Sequence, residues 1–466
     1  MPVNSFENYP MSWRPKLSRE NTPLYLSIAA ALEKDIAAGN LQPNDKLPPQ
    51  RELADYLDVN LSTVTRAFKL CESKGLISGT IGKGTYVASD VSANLPMLSE
   101  NKESNCINLG ASHPLYQQNR YITQMLKKLP SKINIDNLLK YTDISGSELQ
   151  KESACIWLHK LGIPAQSKNI LITSGLQNSL TVILASLFRY GDKIATNSLT
   201  YPGIKNIANM LGIILIPIPY RNRKMDLKYL EQICKTEKIK GIYVIPDSHN
   251  PTTVTMELNE RIHLSSMIEK YALINIEDGT YTFLSEKPNL SLYELIPDHT
   301  IHICTLSNSL SAGLRISFLA APLAFRESLL TGIRNINVMS SPIETELAAQ
   351  LIQTGIAQRI TTDKIQEIIK RNRITENLLA GNDLWGSQRS QFRWLILRNS
   401  INSHELEIYL RKKGVQVFCS ERFLVGNSTL IPAIRLAVCS PDSHADLARG
   451  LQIINESLLS FAPASV

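Results

Sequence analysis

Hydrophobic and polar residues follow different patterns in the two parts of the chain. Near the N-terminus, Leu24, Ile28 and Leu32 recur at intervals of four, and Gly39 follows. This spacing predicts an amphipathic helix over residues 24–38 that ends at the glycine. From about residue 106 onward, short apolar runs alternate with helical stretches, which is the pattern of an α/β domain.

Two further helices and a hairpin are predicted before residue 90. Leu47-Pro48-Pro49-Gln50 opens the helical stretch RELADYLD, with proline in the first turn, where its missing N–H is not needed. A turn at Asp58-Val59-Asn60 leads to a third helical stretch, which ends at Gly75. The segment LISGTIGKGTYV is typical of two short strands joined by a glycine-rich turn. Three helices and such a wing predict a winged helix-turn-helix domain.

The longer second part contains six apolar runs that are typical of buried strands. They are Ile170–Thr173, Lys193–Ala195, Ile213–Pro217, Gly241–Ile245, Leu273–Ile276 and His302–Leu306. Helical stretches separate them. Strands that alternate with helices usually form parallel sheets, so the sequence predicts an α/β fold around a mainly parallel sheet.

The length of the chain agrees with more than one domain. At roughly 100–200 residues per domain, 466 residues fold as two or three globular domains. Residues 90–105, DVSANLPMLSENKESN, are polar and lack apolar periodicity, which is typical of a linker. We predict a winged helix-turn-helix domain over 20–89, a linker over 90–105 and a large α/β domain over 106–460.

Composition excludes some classes of protein without identifying the partner. The net charge of +7 favours an anionic partner, yet the first 90 residues hold ten Lys or Arg and ten Asp or Glu. No apolar stretch approaches the ~20 residues that span a bilayer, and the N-terminus lacks a signal-peptide pattern. Seven cysteines without a C-x-x-C pair favour reduced thiols and no metal site. We expect a cytoplasmic protein that binds no membrane.

Polar residues open the third predicted helix, which enters the major groove of DNA in winged helix-turn-helix domains. Asn60, Ser62, Thr63 and Thr65 offer amide and hydroxyl groups next to the free backbone N–H groups of a helix N-terminus. Such groups can contact phosphates and base edges. The alternative is that Ser62 or Thr63 only caps the helix and that the module binds protein.

The segment from Pro23 to Val87 resembles the GntR family of winged-helix DNA-binding domains nearly end to end. By this resemblance Arg51 would contact phosphate or bases, and the wing residues Gly82 and Lys83 would complete an interface with double-stranded operator DNA. The family usually has an arginine just before the Ser/Thr pair, and here Leu61 stands there. The missing charged contact predicts an unusual operator sequence and modest affinity.

Three separate features of the large domain could bind parts of a small ligand. Ile172–Gln177 follows a strand and opens a helix, where backbone N–H groups and the helix dipole can bind phosphate. Tyr201 follows another strand and could stack on a planar heterocycle or simply pack in a turn. Arg435 lies in the apolar run Ala433–Ala437, and a buried arginine needs a carboxylate partner from the protein or from a ligand.

With DSHNPTTVTM, IEDGTYTF and TLSNSLSAGLRIS, these features resemble the fold-type I aminotransferases, which depend on pyridoxal phosphate (PLP), from about Asn108 to Leu451. The resemblance implies a PLP-dependent transferase-like domain. The phosphate would be held by Gly175, Leu176, Gln177, Ser307 and Arg315. Tyr201 would stack on the pyridine ring, Asn250 and Tyr281 would contact its phenolic oxygen, Asp278 would pair with its nitrogen, and Arg435 would bind the carboxylate of an amino-acid ligand.

One position changes the expected chemistry. The family has a lysine directly after the serine of an S-K-x-L motif, which forms the Schiff base with PLP, whereas here Asn308 follows Ser307. An asparagine amide is not a nucleophilic amine and cannot move the proton that transamination requires. No lysine lies between Lys287 and Lys364. We therefore expect no catalytic residue and no transaminase activity; Thr253, in place of the usual glycine after Pro-Thr, is a smaller departure.

The two resemblances together match the MocR subfamily of bacterial regulators. They imply a transcriptional regulator whose large domain forms a homodimer and senses a small-molecule effector. PLP or a related B6 species would be a non-covalent ligand, and no metal is expected. Two alternatives stay open: a PLP-dependent aminotransferase in which another residue supplies the amine, or a constitutive DNA-binding protein whose large domain is an empty dimerisation scaffold.

Overall fold

The protein is described by a computed structural model that covers residues 11–15, 17, 23–37, 40–41, 45–73, 76–80, 84–87, 106–287, 289–426, 428 and 431–460. The predicted wing residues Gly82 and Lys83 and the predicted linker lie outside the described residues. The same holds for residues 20 and 89, the predicted limits of the first domain. Among the described residues, no helix is long and apolar enough to cross a membrane.

The N-terminal domain consists of three helices and a hairpin. The helices are α1 (Leu24–Ala37), α2 (Gln50–Leu57) and α3 (Leu61–Ser73), and β1 (Ile77–Thr80) pairs antiparallel with β2 (Gly84–Val87). Ile28 and Leu32 of α1 pack with Phe68 of α3 in one buried core, which confirms the winged helix-turn-helix prediction. Pro49 does not lie in the first turn of α2: its ψ of 138° is extended, so the helix begins one residue later, at Gln50.

Strands and helices alternate along the large domain. Its strands are β3 (Ile107–Asn108), β4 (Ile170–Thr173), β5 (Lys193–Asn197), β6 (Ile214–Ile218), β7 (Tyr220–Arg221), β8 (Lys224–Met225), β9 (Ile239–Val244), β10 (Ile274–Asp278), β11 (Thr300–Thr305), β12 (Ser317–Ala320), β13 (Leu384–Trp385), β14 (Arg393–Ile396), β15 (Val415–Gln416), β16 (Phe418–Cys419) and β17 (Ala433–Leu436). Its helices are α4 (Asn119–Lys132), α5 (Ile135–Leu138), α6 (Glu148–Lys160), α7 (Leu176–Leu187), α8 (Pro202–Leu211), α9 (Leu227–Thr236), α10 (Leu258–Lys270), α11 (Leu292–Leu295), α12 (Leu306–Ser309), α13 (Leu323–Asn337), α14 (Pro342–Gln353), α15 (Ile356–Leu378), α16 (Ser403–Lys412) and α17 (His444–Ser460).

A seven-stranded sheet forms the centre of this domain, in the order β4-β12-β11-β10-β9-β5-β6. Parallel pairing joins β11, β10, β9, β5 and β6, whereas β12 is antiparallel to both β11 and β4. All six runs that the sequence predicted as strands belong to this sheet. The mainly parallel α/β fold is thereby confirmed, and β12 is the strand of this sheet that the sequence did not predict.

A smaller antiparallel sheet near the C-terminus has the order β13-β14-β17-β16. In this sheet Arg435 of β17 pairs with Trp394 of the neighbouring strand β14 and with Phe418 of the other neighbour, β16. Arg435 is buried, with 1% of its surface exposed. The prediction of an arginine in a buried apolar strand is correct, and the sheet holds this side chain in a fixed position.

Candidate functional site

A cavity of about 320 Å³ opens where the central strands end. In open α/β sheets, ligands bind at the carboxyl ends of the strands, because loops from several strands meet there. The cavity follows this rule, since Tyr201 comes after β5, Asn250 after β9 and Asp278 ends β10. The other predicted residues that line it are Leu176, Gln177, Tyr281, Asn308 and Arg435.

The remaining predicted cofactor residues meet at the start of α7, beside Leu176. Gly175 precedes the helix with a φ of 87°, and a Cβ on it would lie 2.5 Å from Nη2 of Arg315. Only glycine therefore fits here without strain. Arg315 donates to Ser307 Oγ and to the Ser174 carbonyl, both at 3.4 Å. A guanidinium, a hydroxyl and a helix N-terminus thus converge on one point, which suits a phosphate.

Asp278 places a buried carboxylate in the cavity wall. Its Oδ2 accepts a hydrogen bond of 2.7 Å from the Tyr243 hydroxyl, and its Oδ1 accepts one of 3.0 Å from the Thr280 backbone N–H. Burial raises the pKa of Asp278, although these hydrogen bonds oppose the rise. A protonated ring nitrogen beside it would favour the ionised form. No motif in the sequence indicated Tyr243, because its side chain reaches Asp278 from the neighbouring strand β9.

Arg435 has only neutral hydrogen-bond partners among the residues that the structure describes. Its Nη1 donates to Asn250 Oδ1 at 2.8 Å and its Nη2 donates to the Gly110 carbonyl at 2.7 Å, while its Nε has no partner. Burial lowers the pKa of Arg435 to about 10, which leaves it charged at neutral pH. No carboxylate of the described residues pairs with it. Of the two partners that the sequence allowed, a carboxylate on a ligand is the one consistent with this arrangement.

Two tyrosines form flat walls of the cavity. The Tyr201 hydroxyl accepts a hydrogen bond of 2.8 Å from Gln177, and its ring lies so close to Gly203 that a Cβ there would be 2.3 Å from it. Burial raises the pKa of Tyr201 to about 12, and burial also raises that of Tyr281. Both phenols are therefore neutral at physiological pH. The Tyr281 hydroxyl lies 3.5 Å from Asn250 Nδ2, so these two predicted neighbours are in contact.

Asn308 lines the cavity with a side chain that has no hydrogen-bond partner among the described residues. Directly behind it lies a buried amine. Nζ of Lys364 donates to the backbone carbonyl of Asn308 at 3.1 Å and to that of Leu310 at 2.8 Å. Burial lowers the pKa of Lys364 to about 7. Lys364 does not line the cavity, and no local sequence pattern indicated it, because it comes from the distant helix α15.

The predicted DNA-contacting residues lie at the ends of α2 and α3. Arg51, Asn60 and Ser62 are exposed, and Thr63 is half-buried. Thr65 differs from its neighbours, because its hydroxyl donates to the Gln50 side chain at 2.8 Å and so joins α3 to α2. Asn60, Ser62 and Thr63 are close together at one helix end, as predicted. Contact of these residues with DNA stays a prediction.

An exposed basic side chain on α3 escaped the sequence analysis. Arg66 lies one turn after Ser62, on the same face of the helix. Its guanidinium lies over the ring of Tyr25, 3.9 Å from the ring centre. Lys69 continues this exposed face. The spacing of Ser62, Arg66 and Lys69 could have indicated a basic stripe on the recognition helix.

The fold and the two sites define a winged-helix DNA-binding domain fused to a transferase-like domain of the PLP-dependent type. The chain belongs to the family described as aminotransferase class I and II, which matches residues 104–454. Residues 24–87 match the gntR family of bacterial regulatory proteins. No group of three His, Cys, Asp or Glu side chains suited to a metal ion occurs in the part of the chain that the structure describes.

Known proteins resemble both the whole chain and the large domain. An uncharacterized HTH-type transcriptional regulator of Bacillus subtilis, YdeF, is 39% identical over 98% of this chain and 99% of its own. An archaeal alanine:glyoxylate aminotransferase has a crystal structure that superimposes with a TM-score of 0.73 at 22% identity, covering 84% of this chain and 98% of its own. The kynurenine aminotransferase of Pyrococcus horikoshii gives 0.72 at 22% identity, over 78% and 93%. The structural likenesses show the fold alone.

Proposed function

We propose that the protein is a homodimeric transcriptional regulator. Its winged helix binds double-stranded operator DNA, and its large domain senses a B6 species that binds non-covalently in the 320 Å³ cavity. The observation that carries the proposal is the combination of two cavity residues. Arg435 is charged and pairs with no carboxylate in the described part of the chain, and Asn308 offers no amine. The cavity thus keeps the means to bind a ligand without the means to attach it covalently.

The cavity residues fit the ring and the phosphate of PLP. Arg315, Ser307 and the Gly175 backbone form a cradle for the phosphate, and the buried Asp278 suits a ring nitrogen. When bound, PLP supplies a ring that accepts electrons. Because Asn308 has no amine to donate or accept the proton, these residues bind and orient the ring but do not complete a transamination. We therefore infer that the domain lacks transaminase activity.

The alternative, a PLP-dependent aminotransferase, needs an amine from another residue. Lys364 is the described lysine next to position 308, and a pKa of about 7 gives it a neutral, nucleophilic fraction at physiological pH. Its Nζ, however, donates to two backbone carbonyls behind the cavity wall. Borohydride reduction after incubation with PLP tests this alternative. A pyridoxyl adduct on the peptide that contains Lys364 would establish covalent attachment and favour the enzyme.

An exposed apolar surface supports the homodimer. Leu139, Tyr141, Ile336 and Val338 are 70%, 86%, 41% and 48% exposed. The two segments that carry them adjoin, since the Thr142 backbone N–H lies 3.3 Å from the sulfur of Met339. We call these four residues the apolar patch. Adjacent large apolar side chains in contact with water are typical of an interface between proteins.

The apolar patch is linked to the phosphate end of the cavity. Asn337, between Ile336 and Val338, donates to Ser174 Oγ at 2.9 Å. Ser174 immediately precedes Gly175, and its carbonyl also accepts from Arg315. A phosphate bound by Arg315 and Gly175 would therefore stabilise one position of the segment that carries Ile336 and Val338. If the apolar patch forms the dimer interface, the ligand then favours one arrangement of the dimer over another. A ligand needs such a preference to shift the population of dimers that binds DNA.

The experiment that tests the proposal is fluorescence anisotropy of the full-length protein with a DNA fragment selected in vitro for binding. Replacement of Arg51 or Arg66 by alanine should weaken binding about tenfold, because each removes a charged contact to DNA. Arg398→Ala is the matched control, since Arg398 is exposed but lies in the large domain. Saturation with a B6 species should change the DNA affinity. Equal affinity with and without every B6 species would refute sensing, and full DNA binding by both Arg51→Ala and Arg66→Ala would refute the interface.

A further inference from the structure

The side chain of Asn308 is a polar group in the cavity that no residue of the described chain satisfies. Three other polar side chains of the cavity do have partners: Asn250 binds Arg435, Gln177 binds Tyr201, and Asp278 accepts from Tyr243. An amide offers one carbonyl acceptor and two N–H donors. An unpaired amide in a ligand cavity therefore indicates which hydrogen-bonding groups the ligand presents at that point.

The backbone that carries Asn308 is held from behind. Lys364 donates to the backbone carbonyls of Asn308 and Leu310. These hydrogen bonds fix the turn from which the side-chain amide of Asn308 faces the cavity. Asparagine is also shorter than the lysine that aminotransferases have at this position, and it supplies no amine. A ligand can therefore bring its own substituent to this point.

Charge alone does not decide which substituent suits this point, because Asp278 and Arg435 both line the cavity. Asp278 is an acid in the wall, and the phenols of Tyr201 and Tyr281 are neutral. Arg435 already donates to Asn250 and Gly110, and Arg315 lies at the phosphate end. The side-chain carbonyl oxygen of Asn308 can accept a charge-assisted hydrogen bond from an ammonium group. An aldehyde has no donor and can form only a weaker, neutral hydrogen bond, as an acceptor from the amide N–H groups.

We propose that the cavity selects a pyridoxyl phosphate that carries an amino group on its C4′ carbon, and that Asn308 is the residue that selects it. This inference rests on the proposed function, because it names the chemical form of the B6 ligand. Pyridoxamine 5′-phosphate and the conjugates of pyridoxyl phosphate with amino acids share the required amine. The conjugates add a carboxylate, for which Arg435 is available.

The test is isothermal titration calorimetry of the full-length protein with four compounds. Pyridoxamine 5′-phosphate and N-(5′-phosphopyridoxyl)-L-leucine carry the amine. In 4′-deoxypyridoxine 5′-phosphate a methyl group replaces it, and PLP carries the aldehyde. A hydrogen bond between the amide and an ammonium should make pyridoxamine phosphate bind about tenfold or more tightly than the deoxy compound. Tighter binding of the leucine conjugate than of pyridoxamine phosphate would assign the ligand to the amino-acid conjugates, and equal binding would assign it to the free amine.

Substitutions of Asn308 give the same test from the side of the protein. Asn308→Leu keeps the approximate size and should abolish the preference for the amine, whereas Asn308→Asp should increase it, because a charged acceptor binds an ammonium more strongly. Asn399→Leu, at an exposed position outside the cavity, is the matched control. Melting curves establish that each variant is folded.

Different results would refute the selection by Asn308 and the sensing of B6 species. If the deoxy compound binds the wild-type protein as tightly as pyridoxamine phosphate does, or if Asn308→Leu keeps the preference, the selection by Asn308 is wrong and the B6-sensing function stands. If none of the four compounds binds, the sensing function fails, and this inference fails with it.

Discussion

Lys364→Met gives a prediction whose size follows from the structure. Lys364 is completely buried, its Nζ contacts two backbone carbonyls, and no carboxylate of the described residues pairs with it. Burial lowers its pKa from 10.5 to about 7. Methionine has a similar length and carries no charge. The variant should therefore change how the stability of the protein depends on pH.

The direction follows from proton binding in the two states. Above about pH 7 the folded protein releases the proton of Lys364, whereas the unfolded chain keeps it until about pH 10. Between these values the unfolded state binds more protons, so the stability of the wild-type protein rises with pH. The gain relative to the methionine variant approaches about 1.4 kcal/mol per pH unit and amounts to about 2 kcal/mol from pH 7 to 9, because the amine of the folded protein is only half deprotonated at pH 7. Below pH 7 the difference between the two proteins levels off.

Urea unfolding at pH 6, 7, 8 and 9, at one fixed protein concentration, measures this difference. Lys370→Met is the matched control, because Lys370 is an exposed lysine on the same helix, α15. We expect Lys370→Met to follow the wild-type pH dependence. If Lys364→Met also runs parallel to the wild type from pH 7 to 9, Lys364 is not a buried amine that loses its proton on folding, and the arrangement behind Asn308 is wrong.

Three further predictions concern the ligand, the backbone and the dimer. Arg435→Met should weaken binding of N-(5′-phosphopyridoxyl)-L-leucine about a hundredfold in calorimetry and affect pyridoxamine 5′-phosphate much less, because only the conjugate has a carboxylate. Thr253→Gly should raise the stability by about 1 kcal/mol in urea unfolding, because Thr253 is β-branched and has a φ of 63°, a conformation that glycine adopts freely. Leu139→Glu should raise the dimer dissociation constant at least about tenfold in analytical ultracentrifugation, because it places a charge in the apolar patch.

Each of these three predictions has its own control. Equal losses for both ligands in Arg435→Met would mean that the arginine supports the fold rather than a carboxylate. Thr252→Gly, at a neighbouring buried position without a left-handed backbone, should destabilise the protein. If both glycine substitutions stabilise it, backbone strain at Thr253 is not the cause. For the dimer, Tyr190→Glu changes an 89% exposed aromatic residue outside the apolar patch and should leave the dissociation constant unchanged.

The strands of the central sheet were predictable because helices cover both faces of a parallel sheet. Strands such as β4 and β11 are buried throughout and consist of short, mostly apolar runs, which the sequence shows directly. The strand β12 was missed although it is also buried, because it follows the motif around Arg315 without a separating turn of its own. Two of the four strands of the smaller sheet, β13 and β16, have only two residues, too few for any periodic pattern to show.

The residues of the cavity were predictable from motifs, but their partners were not. The motifs named Asn250, Asp278 and Arg435, and the structure brings all three to one cavity. The Gly110 carbonyl that binds Arg435 lies 325 residues away along the chain, and Lys364 lies 54 residues from Leu310. Such contacts depend on how distant elements pack, which local patterns do not encode.

For the DNA-binding domain, the sequence identified the helices and the polar residues that open α3. It also predicted that Thr65 contacts DNA; in the structure the Thr65 hydroxyl donates to Gln50 of α2, and its contact with DNA stays a prediction. No motif indicated Arg66, because it lies one turn beyond the polar residues that open α3. Which face of a helix is exposed depends on how the helix packs, and residue type alone does not show it.

Native mass spectrometry of the full-length protein, loaded with pyridoxamine 5′-phosphate and then passed through a desalting column, tests the central claim most directly. We expect a dimer that carries one ligand per chain under native conditions, because the cavity binds this B6 species. After parallel loading with PLP and borohydride reduction, no adduct should be found on the peptide that contains Lys364. A dimer without ligand, or a pyridoxyl group on Lys364, would contradict the account.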